Sequence, residues 1–325
     1  MKPVYMRGVA YALGGLHPIN ELPELKAHPE TLQDLLAVGL ESYARAECSS
    51  AELLAESLRR TLAISQVDPS TIDAVVCAHN NFRDGERSAL ALKRALRDVG
   101  LGSAYPFGMT LSACGNLHSA LRVAALLIGT GEARRVVVAT TDKNSEFEPE
   151  SRIYSANVTV YSDGAASCVL DAEAGDFELA GVHQRCDAAA SDFGQAGTLL
   201  ELLKHTAAGI SATCRELLQR SGIEATAIDR VFINNYNRSV QRIFATQIGT
   251  PRSKLFDANI ARFAHAYAAD NLINLADAMA LDGIEQGRHV LLLGTGPETW
   301  GGCVLRAAVA QPAVSRPIVE KRNLS

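Results

Sequence analysis

Two stretches half a chain apart carry the same pattern, and this duplication restricts the fold more than any other feature of the 325 residues. SQVDPSTID (65–73) matches SGIEATAID (221–229) in character at most positions. Each copy follows a helix-like segment, LLAESLRRTLAI or ISATCRELLQR, and leads into a short apolar run, AVVCA or RVFIN. That is the pattern of helix, turn and buried strand. ARRVVVATTD (133–142) then parallels GRHVLLLGTG (287–296), and ASCVLDA (166–172) parallels GGCVLRA (301–307), which makes Cys168 and Cys303 equivalent. The amino-terminal MKPVYMRGVAYALGG alternates apolar and polar residues as a first strand does. Continuous Val/Ile/Leu runs separated by helical segments mark strands buried on both faces. The expected fold is therefore α/β, with two duplicated halves, residues 1–172 and 173–325.

Composition removes several function classes. The chain is 47% hydrophobic and 21% charged, which suits a globular protein with a sizeable core. Its most apolar stretch, SALRVAALLIGTG, is interrupted by Arg122 and is shorter than the roughly 20 residues that span a bilayer, so it reads as a buried helix. No secretory signal pattern opens the chain, and a cytoplasmic location is the expectation. The seven cysteines are scattered, with no Cys-x-x-Cys pair and no histidine cluster, so neither disulfides nor a metal site are expected. With a net charge of -5 and basic residues only in short pairs, nucleic acid is not an expected partner. GTGPETWGG precedes a strand instead of opening a helix, which fails the context of a nucleotide loop.

Cys114 stands in SACGN at the start of GNLHSALRVAALLIG, a segment apolar nearly all round. A helix amino terminus offers unpaired N–H groups and the positive end of the macrodipole, the setting in which a thiolate is stabilised. Gly115 lets backbone approach a bound acyl group. His265 stands at the start of the equivalent helix of the second half. If a pseudo-twofold axis relates the halves, both helix ends face one cavity.

Four segments resemble the ketoacyl synthase III branch of the thiolase superfamily, in order along essentially the whole chain. They are TLSACGNLHSAL around the nucleophilic cysteine, YSDGAASCVL, INNYNRS and GTGPETWGGCVL. The resemblance implies a thiolase fold, two βαβαβαββ halves in five αβαβα layers. It also implies Cys114 as nucleophile, an oxyanion hole from the N–H groups of Cys114 and Gly296, acyl carrier protein or coenzyme A as acyl donor, and a homodimer. No tightly bound cofactor is implied.

The departures bear on the reaction. Where condensing members carry a histidine followed by Gln-Ala-Asn, this chain reads Asn234, Asn235, Tyr236, Asn237, and where they carry an asparagine it has His265 within FAHAYAADN. His265 with Asp270 instead resembles the ketosynthase-III-like acyltransferases of natural-product (polyketide-related) pathways, which use a Cys-His-Asp or Ser-His-Asp triad. Five residues along a regular helix turn side chains about 140° apart, so this pairing requires His265 to precede the helix proper. Asn234 is a candidate donor to a substrate carbonyl. His118, one turn after Cys114, is read as structural, His79 and Asn80 as supporting candidates, and Arg152 and Arg238 as weak candidates for phosphopantetheine or carrier-protein contact. Loops around 80–90 and 185–205 are expected to shape the pocket.

Three readings follow. The leading one is ping-pong acyl transfer through acyl-Cys114 to a small-molecule hydroxyl, amine or thiol. The second is decarboxylative condensation with a malonyl thioester. The third is a catalytically silent partner subunit.

Overall fold

The computed structural model describes residues 2–80, 86–147, 151–154, 158–188 and 199–309. The first half runs β1 (Tyr5–Leu13), α1 (Ser50–Ser65), β2 (Ala74–Ala78), α2 (Glu86–Asp98), β3 (Tyr105–Met109), α3 (Asn116–Thr130), β4 (Arg135–Asp142) and β5 (Gly164–Asp171). The second runs β6 (Phe177–Cys186), α4 (Leu199–Ser221), β7 (Ile228–Ile233), α5 (Arg238–Ile248), α6 (Asp270–Leu281), β8 (His289–Thr295) and β9 (Thr299–Ala307). Local chemistry sets the helix ends. Ser49 and Glu52 form a reciprocal capping box at the start of α1, and α3 stops at Gly131, whose φ of 86° is left-handed.

The strands pair in the order β7-β8-β9-β6-β1-β5-β4-β2-β3. From the middle outward, each half repeats one pattern: antiparallel, antiparallel, parallel. The register repeats as well, since Val138 faces Cys168 and Leu292 faces Cys303. The halves join where β1 and β6 pair antiparallel at Tyr5–Glu178 and Met6–Phe177. One element departs from the expected βαβαβαββ order. The counterpart of β3 shrinks to a single parallel bridge, Val231–Leu255, because Pro251 supplies no N–H and Arg252–Lys254 coil into a 3₁₀ turn.

Five layers result. Helix α1 covers β1, β5 and β4 on one outer face, and α4 covers β6 and β9 on the other. Helices α3 and α6 fill the middle, each touching strands of both halves. Their buried faces join β-strand residues in one apolar core that includes Leu117, Leu121, Ile128, Leu272 and Leu275. Among the described residues no helix is long and apolar enough to cross a membrane.

His118 locks the middle layer to the second half. Its imidazole is fully buried, bonds through Nε2 to the Leu292 carbonyl at 3.2 Å, and packs on glycines of β8 and β9. A Cβ at Gly294 would lie 2.7 Å from the ring, and one at Gly301 would lie 2.4 Å from His118 Cβ, so only glycine admits the histidine. Burial pushes its pKa down to about 4, with the Leu292 bond opposing in part, so the ring is neutral at pH 7. The unfolded chain takes up that proton near pH 6.5, and the fold therefore loses stability as pH falls from about 6.5 to about 4. Replacing His118 by Gln should remove roughly 3 kcal/mol of this acid-side loss, read as a smaller fall in urea-unfolding free energy between pH 7 and 4 than in the parent protein.

Candidate active site

Cys114 lies in a 3₁₀ turn, Ala113–Gly115, that runs directly into α3. The positive end of the α3 macrodipole thus lies at the cysteine turn, where the Asn116 N–H donates to the Ala113 carbonyl. Ala113 holds a φ of 45°, a left-handed conformation that costs about 1–3 kcal/mol in a residue with a Cβ. The turn is held by Gly115 N–H donating to the Ser112 carbonyl (2.8 Å), Thr299 Oγ donating to that same carbonyl (2.9 Å), and Ser112 N–H donating to Asn116 Oδ1 (2.9 Å).

His265 arrives from the other half, in an irregular segment between the short helix Ala258–Phe263 and α6. Its N–H donates to the Val160 carbonyl and its carbonyl accepts from Ser162 N–H, so first-half backbone fixes it on both sides. Ala264 and Tyr267, at φ of 57° and 52°, supply the reversals that lift His265 out of helical geometry. This removes the 140° difficulty, because Asp270 is the first residue of α6 while His265 precedes it.

The three side chains form a line. Cys114 Sγ is 3.2 Å from His265 Nε2, and His265 Nδ1 is 2.5 Å from Asp270 Oδ2. Asp270 also accepts the N–H groups of Asn235 and Ala266, each at 2.7 Å, and Asn235 Nδ2 at 3.4 Å. All three triad groups are buried, Cys114 being 9% exposed. Burial disfavours a charged imidazole, but Asp270 and then Cys114 outweigh it and raise the His265 pKa to about 10. His265 therefore rests as an imidazolium between sulfur and carboxylate. The imidazolium thereby places positive charge 3.2 Å from the sulfur.

The line opens on a cavity of about 590 Å³. Phe147, Tyr267 and Tyr161 stack across it, with ring centroids 5.0 and 4.5 Å apart and planes within 5°. Tyr236 lies 4.7 Å from the His265 ring and donates to the Thr295 carbonyl at 2.7 Å. Burial pushes the Tyr161, Tyr236 and Tyr267 hydroxyls upward in pKa, so this wall is neutral. Asn144, also in the lining, accepts from Tyr267 O–H at 3.0 Å. No Lys or Arg is among the described lining residues. Among the described residues, no group of three or more His, Cys, Asp or Glu could hold a metal ion.

Several expected roles are corrected by this geometry. Asn234 does not line the cavity; it is fully buried, its Nδ2 donates to the Tyr267 carbonyl and its Oδ1 accepts from Thr295 N–H, so it faces away from a substrate carbonyl. Tyr236, two residues on, reaches the cavity instead. The Gly296 N–H donates to the Thr299 carbonyl at 2.7 Å, because a tight turn joins β8 to β9 there, so it is not a free oxyanion donor in this conformation. Arg152 is neither a surface residue nor a carrier contact. It is 9% exposed and pairs through two nitrogens with Asp163 at 3.0 and 2.9 Å. Arg238 lies 3.7 Å from Asp257, outside the cavity. Of the loops expected to shape the pocket, 81–85 and 189–198 lie outside the described residues.

The aromatic wall escaped the sequence reading. Tyr236 and Tyr267 stand inside INNYNRS and FAHAYAADN, so the segments were flagged, but which side chain of an irregular segment faces a cavity has no periodic signature.

A duplicated five-layer body with a cysteine ahead of one central helix and a histidine ahead of the other defines the thiolase-fold class. Residues 110–188 match the family model of 3-oxoacyl-[acyl-carrier-protein] synthase III, and residues 218–307 match that of its C-terminal part. The β-ketoacyl-[acyl-carrier-protein] synthase III of Rubrobacter xylanophilus is 25% identical over 317 residues, 93% of this chain and 98% of the relative. Among solved structures, the acyltransferase ChlB3 superposes with a TM-score of 0.80 at 19% identity, over 96% of this chain and 99% of that one. The priming β-ketosynthase of the R1128 polyketide pathway gives 0.79 at 18% identity, over 96% and 98%. The chain belongs to the ketoacyl synthase III branch of the thiolase superfamily. That family comprises transferases that work through an acyl-cysteine.

Asp270→Asn tests the electrostatics. It would turn an N–H toward donors that now meet a carboxylate oxygen, destabilising the fold by about 1–3 kcal/mol. Because the raised affinity of His265 exists only in the folded chain, its stabilisation is full below pH about 6.5 and is lost as pH rises through about 10. Urea unfolding from pH 7 to 10 should therefore show a flatter alkaline decline in Asp270→Asn than in the parent protein.

Proposed function

We propose that the protein is a ping-pong acyltransferase, charged on Cys114 from an acyl-carrier-protein or acyl-coenzyme A thioester, that passes the acyl group to a hydroxyl, amine or thiol of a small molecule in natural-product biosynthesis. The observation that carries this reading is the continuous line Cys114–His265–Asp270.

In the first half-reaction Sγ attacks the thioester carbonyl. The tetrahedral intermediate collapses, the C–S bond to the carrier breaks, and the departing thiolate takes the proton of His265 Nε2. Acylation removes the sulfur charge, one of the causes that hold the His265 pKa high, so the imidazole is left neutral and able to act as a base. In the second half-reaction His265 takes the proton of the acceptor, which attacks the acyl-cysteine, and Cys114 leaves as thiolate beside a restored imidazolium. Asp270, bonded through Oδ2 to Nδ1, fixes the ring with Nε2 toward sulfur.

The burial of Asn234 with both amide atoms engaged favours transfer over condensation, since a second histidine-like or amide donor from that segment is missing from the lining. Condensation is the second reading, favoured by the activity named for the Rubrobacter relative. The intact triad speaks against a silent subunit. An acyl carrier protein and a second copy of the chain are the proposed macromolecular partners, and the exposed edge strand β3, with Tyr105 66% exposed, offers a surface for the second.

Incubation with a panel of acyl-coenzyme A and acyl-carrier-protein thioesters should add one acyl mass to the intact protein and none to Cys114→Ala; no Cys114-dependent adduct would end the proposal. His265→Ala should still become acylated, more slowly because the imidazolium beside the sulfur is gone and the departing thiolate takes its proton from solvent, but should lose a further factor of about 10²–10⁴ in acceptor-dependent discharge. Carbon dioxide release from a malonyl thioester, with a β-ketoacyl product, would establish condensation instead.

A further inference from the structure

The turn that carries Cys114 is tied through two side-chain amides to Asp142, the last residue of β4. Asp142 Oδ1 accepts Asn80 N–H at 2.8 Å, and Oδ2 accepts Asn80 Nδ2 at 3.3 Å. Asn80 is thereby fixed with Oδ1 toward α3, where it accepts Asn116 Nδ2 at 2.7 Å. Asn116 Nδ2 also donates to the Thr110 carbonyl at 3.2 Å, and Asn116 Oδ1 accepts Ser112 N–H at 2.9 Å, closing a ring around the left-handed Ala113. Asp142 and Asn116 are each 1% exposed, and Asn80 between them is half-buried where it lines the cavity.

The second half contains the counterpart. Asn80 and Asn235 are each the second residue after equivalent strands, β2 and β7, and Asn116 and Asp270 are the first residues of α3 and α6. In both halves the strand-end asparagine bonds the helix-start residue. What differs is where the carboxylate stands. In the first half it lies at the end of β4, as Asp142, and the helix starts with an amide; in the second half the position matching Asp142 is Gly296, and the helix itself starts with the carboxylate. Only there must the helix-start residue also hold an imidazole.

We infer that Asn80 and Asn116, anchored on Asp142, are positioning residues that hold the Cys114 turn at bonding distance from His265, as Asn235 and the Asp270 backbone contacts hold the base. This rests on the reading of Cys114 and His265 as the reacting pair. Without the clamp the Ala113 turn relaxes and the sulfur drifts from the imidazolium; a displacement of about 1 Å is enough for losses of up to a hundredfold.

The test is the pH profile of iodoacetamide alkylation, followed on the Cys114 peptide by mass spectrometry, in the full-length protein. Asn116→Ala and Asn80→Ala are each expected to slow alkylation at pH 6 about tenfold and to move the half-maximal pH upward by about one unit, and the double variant to do no worse than either single one. Thr61→Val, which removes a buried bond to Ser167 away from the cavity, controls for general destabilisation and should leave the profile in place. If Asn116→Ala and Asn80→Ala lose stability as Thr61→Val does yet keep the parent profile, the clamp is only structural and the inference falls. If the parent protein shows no enhanced reactivity at pH 6, the thiolate–imidazolium reading fails by itself. The crystal structure of Asn116→Ala then decides the clamp: an Sγ–Nε2 separation well beyond 3.2 Å supports it, and an unchanged one overturns it.

Discussion

Everything at the centre of this molecule depends on two short turns meeting across a pseudo-twofold axis. Ala113–Gly115 leads into α3 and Tyr267–Ala269 into α6, and the two turns pack against each other. Both helices are trapped between strands of both halves, so neither end can move without disturbing the apolar core. That rigidity lets two left-handed residues, Ala113 and Ala264, persist beside the reacting atoms. Strain of this kind survives only where surrounding structure over-determines it.

Charge inside this core is tolerated because it is met by fixed dipoles. The Asp270 carboxylate receives two backbone N–H groups, an amide and an imidazole, and the Asp163 carboxylate likewise receives Arg152 with the N–H groups of Ala46 and Asn144. A buried ion without such donors would neutralise. Asp163 serves the site indirectly: it knits YSDGAASCVL to the strand Ser42–Arg45 region, and the adjoining backbone at Val160 and Ser162 then grips His265. His265 of one half is thus held by the backbone of the other.

The neutral aromatic wall has a chemical consequence. With phenols pushed up in pKa and no lysine or arginine among the described lining residues, the aromatic wall sets no charge against the His265 imidazolium, and Glu298 is the acidic side chain in the described lining. Cys114 is one of the causes that raise the proton affinity of His265, so that affinity depends on whether the sulfur bears charge. In the proposed reaction a single histidine serves as acid before acylation and base after it.

While the five-layer order came through the resemblance, the sequence by itself determined the duplicated α/β pattern, the buried central helices and Cys114 as a helix-start thiol. Each of these rests on periodicity, repeat spacing or a local motif, and local motifs survive translation into structure. His265, Asp270 and their pairing were legible only through resemblance; the backbone path that allows the pairing was not, since it runs through left-handed reversals at Ala264 and Tyr267 that no local rule assigns to alanine or tyrosine. Only the tertiary structure decided that Asn234 turns inward while Tyr236 faces the cavity, that the Gly296 N–H is taken by its own turn, and that Arg152 is an internal ion pair. Those outcomes depend on partners in other segments, 33 and 61 residues from Asn234 and 11 from Arg152, or on the closure of one loop. A side chain in an irregular segment has no period from which its direction can be read; it points wherever its hydrogen-bonding partners have been brought by the rest of the fold.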